Sequence, residues 1–219
     1  MPHQIVYSFD CVSPWSYIGY HVLQRYSEKW PIKIDWQPSS LAYVMKFANN
    51  QPPVSVPNKG AHMIHLLQAA DRMYGVKLKI PSKFPFVTFP VMGMLRVMKE
   101  RYPQKLNEMI NKCLHEIWHV GHHELDREAL EKILQPTFTA EEISTLLNTA
   151  FSKETRRLLA QEAEALVDQG AFGFPWIVAT RESDRASVAA FGVEQVERIA
   201  AFLHEPYLGP MASGVTPRL

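Results

Sequence analysis

The chain has 219 residues, of which 47% are hydrophobic and 21% charged, a balance that suits a globular domain and excludes a disordered one. Lys and Arg number 23 against 22 Asp and Glu, a net charge of +1, so no strong field favours nucleic acid or an anionic membrane as partner. The two cysteines, Cys11 and Cys113, stand 102 positions apart, which excludes a CxxC redox motif, a disulfide framework and a cysteine-rich zinc site, and suits a reducing intracellular compartment.

Residues 5 to 9, Ile-Val-Tyr-Ser-Phe, form a short β-rich run that reads as a strand. Ser13-Pro14 then places a capping residue before a proline at the first helical position. Ile18, Val22, Leu23 and Tyr26 continue as a helical stripe. Ile32, Ile34 and Trp36 alternate with polar neighbours and predict a second strand, ending at Pro38. The proline-rich segment 51 to 58 excludes a helix and reads as a loop. A helical block follows: 60 to 74, a stripe at 91, 94, 95 and 98, and a long helix over 104 to 119. Asp126 caps 127 to 134, and Thr139 with Glu142 forms a capping box ahead of Ile143 and Leu146. Leu158, Leu159 and Leu166 mark one more helix. Pro175 to Ala179 and Ala186 to Phe191 read as strands, and Val196 to Leu203 as a terminal helix. The order is βαβ, about six helices, then ββα. The N-terminus lacks a secretory signal, and no run reaches the roughly 20 apolar residues that span a bilayer. The terminal Pro217-Arg218-Leu219 is a weak form of a peroxisomal address.

Three constellations bear on chemistry. His115-Glu116-Ile117-Trp118-His119 matches the HExxH pattern of zinc proteases. At about 100° per residue, however, both histidines fall opposite the apolar stripe of their helix, so a solvated face is expected and no metal site. Ser13-Pro14-Trp15-Ser16 sits where a strand hands over to a helix. Unpaired N–H groups and the positive end of the dipole favour an anion there, including a thiolate. Ser13 can donate one hydrogen bond to sulfur, whereas Cys11 reads as a small buried residue at a strand end. Gly170-Ala171-Phe172-Gly173-Phe174-Pro175 precedes the third strand, and a cis Phe174–Pro175 bond would leave the Phe174 N–H and C=O free to pair with an extended peptide.

Taken in order, Phe9-Asp10-Cys11-Val12-Ser13-Pro14-Trp15-Ser16-Tyr17-Ile18-Gly19, Asn50-Gln51-Pro52-Pro53, Pro57-Asn58-Lys59-Gly60, Gly170 to Pro175 and Phe191-Gly192 resemble the kappa-class glutathione transferases, as does the tail from Gly209-Pro210 to Arg218-Leu219. The resemblance covers essentially the full chain. It implies an α/β protein: a DsbA-like thioredoxin fold, 1–59 and 168–219, interrupted by a large all-helical insertion domain over 60–167. It also implies a homodimer that conjugates glutathione to small electrophiles, with glutathione peroxidase activity beside it, in cytoplasm, mitochondrion or peroxisome, and without metal. By position, Ser13 is the catalytic residue that stabilises the glutathione thiolate, with Trp15 and Ser16 in minor roles. Asn50 and Lys59 hold the glycyl end, and Phe174 and Pro175 meet the cysteinyl backbone. Val193 and Glu194 stand where the family has Ser-Asp at the γ-glutamyl end, so a hydroxyl is lost and a carboxylate kept. Two other readings compete: a glutathione-dependent 2-hydroxychromene-2-carboxylate isomerase, and a non-catalytic thioredoxin-fold binding module.

Overall fold

The computed structural model describes residues 1–212; the peroxisome-like ending and the last residues of the family-like tail lie outside them. The chain opens with β1 (His3–Phe9), α1 (Pro14–Ser27) and β2 (Ile32–Pro38). Eight α-helices follow among the described residues: α2 (Leu41–Phe47), α3 (Pro57–Gln68), α4 (Ala70–Tyr74), α5 (Phe89–Arg101), α6 (Pro103–His115), α7 (Arg127–Leu134), α8 (Ala140–Ala150) and α9 (Lys153–Asp168). β3 (Trp176–Thr180), β4 (Ser187–Phe191) and α10 (Val196–Leu203) close the fold. The sheet order is β2-β1-β3-β4. β1 and β2 run parallel, and the other two pairs are antiparallel. This is the expected thioredoxin topology with helices inserted between β2 and β3.

Local chemistry set most element boundaries. Ser13 caps α1, with Pro14 at its first position, Asp126 caps α7, and the Thr139–Glu142 capping box is complete. Two expectations are corrected and one helix is added. The segment 51–58 is not all loop: Pro53–Ser55 forms a 3₁₀ turn, and Pro57 is the first residue of α3, because proline fits the first helical turn, where its missing N–H costs nothing. The seven-residue α2 carries no strong period and was not anticipated; it starts at the Ser40 cap. The helix expected over 104–119 stops at His115 and widens into one π turn, Glu116–Val120.

Alternation along β1 and β3 gives the sheet two apolar faces. Ile5, Tyr7, Phe9, Ile177 and Ala179 join a large core with α1, α5, α6 and α10. Trp176 and Phe174 pack on the other side with Val44 of α2 and Ala163 of α9. α5 runs along the edge strand β2, where Lys99 binds Asp35 at 2.6 Å and also Gln37. The buried Trp118, in the π turn, donates to the Cys11 carbonyl at 2.8 Å, so an inserted helix fastens onto the segment leaving β1. Ser8 pairs with Trp176, and Trp176 with Phe191. The exits of β1 and β4 and the entry to β3 therefore gather at one end of the sheet.

Candidate active site

Ser13 lies at that end, 4% exposed. Its Oγ accepts the Ser16 N–H at 3.1 Å and donates to the Phe174 carbonyl at 3.2 Å. Its own N–H donates to the Asp10 carbonyl at 3.0 Å. Ser16 is fully buried, and its hydroxyl has no partner among the described residues. Trp15 is half-buried against the core. The first turn of α1 is held from below by Tyr7, whose hydroxyl donates to the Ser16 carbonyl at 2.8 Å. A Cβ at Gly19 would sit 2.4 Å from that hydroxyl, so glycine is needed there for the approach.

The second wall is the segment before β3. The Phe174–Pro175 bond is cis. The Phe174 N–H has no partner among the described residues, but its carbonyl is not free: it accepts the Ser13 hydroxyl. That corrects the expectation that both backbone groups of Phe174 are open. The Pro175 carbonyl accepts the Gly192 N–H at 3.0 Å, which joins the start of the last helical segment to the same patch. Val193 is buried and Glu194 exposed. The Glu194 carboxylate folds back over Gly192, where an added Cβ would be 2.3 Å from either oxygen. Burial and then the nearby charges of Glu194 and Tyr207 raise the Tyr74 phenol.

Asn50 donates to the Phe172 carbonyl at 2.7 Å while its own Oδ1 accepts the Gln51 N–H at 2.8 Å. It therefore ties the exit of α2 to the loop that carries Phe174. Lys59 is exposed on the first turn of α3, with no hydrogen bond or ion pair among the described residues. Hydrogen bonds thus bring Ser13, Phe174, Pro175 and Gly192 together, with Asn50 joined through Phe172; no such bond links Lys59 to them.

Cys11 is fully buried, and burial first, then the neighbouring Cys113 and Asp10, push its thiol well above its ordinary range. Burial pushes Cys113 up to about 12. Neither is poised as a nucleophile, since the thiolate is the reactive form. His115 and His119 are exposed with rings 4.5 Å apart, on the polar face the periodicity predicts. A groove of about 820 Å³ between α6 and α7 is lined by His115, Glu116, His122 and Lys132 and shares no residue with the Ser13 patch. Asp10 is the site residue the motif reading passed over. It lies 1% exposed, with one backbone N–H donating to each carboxylate oxygen, and its signal is an acid placed directly between the end of β1 and the Ser13-Pro14 helix start.

The sequence matches the family described as DSBA-like thioredoxin domain over residues 4–204. It is 30% identical over 229 residues to glutathione S-transferase kappa 1 of Homo sapiens, covering 100% of this chain and 99% of that protein. It is 28% identical over 225 residues to the Rattus norvegicus glutathione S-transferase kappa 1, covering 100% and 98%. Among solved structures, a 2-hydroxychromene-2-carboxylate isomerase superposes with a TM-score of 0.73 at 14% identity, over 92% of this chain and 94% of that one. At that identity the likeness is one of fold.

Proposed function

The chain belongs to the DsbA-like thioredoxin family and, within it, to the kappa-class glutathione transferases, and from that membership we propose that it conjugates the glutathione thiolate to small electrophiles. The observation that carries the reading is the buried Ser13 hydroxyl at the N-cap of α1, bonded across the cleft to the Phe174 carbonyl. Free cysteine thiol has a pKa of about 8.5 and is mostly protonated at neutral pH. Preorganised donors and the positive end of a helix stabilise the anion and so increase the thiolate fraction. Turning the Ser13 hydroxyl from the Phe174 carbonyl to sulfur supplies one donor.

In this reading the Phe174 N–H pairs with the cysteinyl backbone of glutathione. The Lys59 ammonium, which has no partner among the described residues, takes the glycyl carboxylate. Asn50 borders the same end, and Glu194 receives the γ-glutamyl ammonium. The sulfur lone pair then forms the carbon–sulfur bond as the leaving group departs with the bonding electrons. Attack on a hydroperoxide oxygen gives the second reaction: a sulfenic acid that a second glutathione converts to the disulfide, with alcohol and water as products. We take the working unit to be a homodimer, which light scattering in solution tests.

Titration calorimetry with glutathione at pH 7 decides the reading. Saturable one-to-one binding with proton release is the expected result. No binding would leave a non-catalytic module. Parallel conjugation and isomerisation assays separate a transferase, which consumes glutathione, from an isomerase, which returns it.

A further inference from the structure

Asp10 is a carboxylate with 1% exposure at the end of β1. Burial of such a group is costly unless donors replace water. Two backbone N–H groups do so here, from two separate parts of the chain. Oδ1 accepts the Val12 N–H at 3.0 Å, and Oδ2 accepts the Leu41 N–H at 2.8 Å. Burial raises the Asp10 carboxyl above its ordinary value, and these two bonds and the neighbouring Thr88 side chain offset part of that rise.

Each donor bears on the cleft. Val12 immediately precedes Ser13, and the Ser13 N–H donates to the carbonyl of Asp10 itself at 3.0 Å. Two bonds from one residue therefore shape the turn that aims the Ser13 hydroxyl. Leu41 is the first residue of α2. At the far end of that helix the Asn50 N–H bonds the Met45 carbonyl at 2.8 Å, and the Asn50 side chain holds the Phe172 carbonyl. Ser13 bonds Phe174, two residues further on. A closed circuit results, running from Asp10 through Ser13 to Phe174 and back through Phe172, Asn50 and α2.

We propose that Asp10 is a positioning residue for the transferase reaction, its carboxylate fixing the Ser13 hydroxyl relative to the α2 arm that borders the peptide-binding end. The inference rests on the glutathione reading above. Asp10 acts through Ser13 and touches no reacting atom. A neutral amide in its place offers one acceptor oxygen and turns its NH₂ toward either the Val12 or the Leu41 N–H, leaving a buried donor unpaired.

The test compares Asp10→Asn, Ser13→Ala and the double variant with wild type, by thiolate absorbance of bound glutathione against pH and by kcat/KM. Asp10→Asn is expected to raise the bound thiol pKa by about one unit, a tenfold loss of thiolate at neutral pH. It is expected to add nothing further in the Ser13→Ala background, since groups that act as a unit are not additive. A wild-type thiol pKa in folded Asp10→Asn, or full additivity in the double variant, overturns the proposal. If Asp10→Asn does not fold, Asp10→Glu keeps the charge and displaces the carboxylate by one methylene. A shift in the same direction then supports the proposal, and an unshifted thiol overturns it. Wild-type protein that binds no glutathione overturns the parent reading and this one together, whereas normal wild-type binding with unshifted variants overturns this one alone.

Discussion

Ser13 Oγ and the Phe174 carbonyl oxygen lie 3.2 Å apart although 161 positions separate the two residues. The bond holds the start of α1 against the segment that enters β3. It also gives the Ser13 proton a partner, which a bound sulfur would have to replace.

Ser13→Ala removes that donor and the α1 cap. The pKa of bound glutathione should rise toward that of the free thiol, and kcat should fall on the order of 10²-fold, as when one anion-stabilising donor is lost. Losing the cap should cost about 1 kcal/mol of stability. Absorbance of the thiolate against pH, with a thermal melt alongside, measures both. An unchanged thiol titration would remove Ser13 from the mechanism.

Lys59→Ala should weaken glutathione about tenfold, or ~1.4 kcal/mol, and Lys59→Arg should weaken it less. The loss should vanish when the glycyl carboxylate is esterified, because the ammonium then has no charge to meet. Calorimetry with both ligands reads this directly. Equal losses for acid and ester would place Lys59 elsewhere.

Gly192→Ala and Gly170→Ala form a matched pair. Their φ angles are 96° and 97°, but a Cβ at 192 meets the Glu194 carboxylate at 2.3 Å, whereas one at 170 meets nothing within 4 Å. Both should lose about 1–3 kcal/mol from the strained backbone. Only Gly192→Ala should also weaken glutathione, by displacing Glu194. Equal affinities in the two variants would show that Glu194 does not grip the ligand.

Burial first, then the charges of Arg25 and His115, hold the His21 imidazole down to about 4. Its unfolded value is about 6.5. The unfolded chain therefore takes up the proton first as pH falls, so the His21 contribution is full above pH ~6.5 and is lost through the window down to the folded value. The loss should be on the order of 2 kcal/mol once solvent screening is allowed for. Urea melts between pH 6.5 and 5 on wild type and His21→Phe check it: the variant should show the flatter slope. Parallel slopes would contradict the assignment.

Much of the fold was legible because its signals are short-range. The Thr139–Glu142 box, the Asp126 cap and the Ser13-Pro14 start each involve residues no more than three apart, and all three are present. The π turn after His115 was not legible, since residues 104 to 119 keep one apolar period. The turn widens where Trp118 is drawn in to bond the Cys11 carbonyl. α2 was missed because seven residues are too few for a period to show.

The candidate site divides the same way. Residue order alone determined that serines, not cysteines, stand at the head of α1 and that Phe174 precedes a proline. Those are properties of neighbours along the chain. Only the tertiary structure decided that the Phe174 carbonyl is occupied by Ser13, that Asn50 is held by Phe172, and that the Asp10 carboxylate accepts the Leu41 N–H. Such bonds join residues tens to more than a hundred positions apart. Packing sets them through space, and no periodicity or spacing in the chain records them.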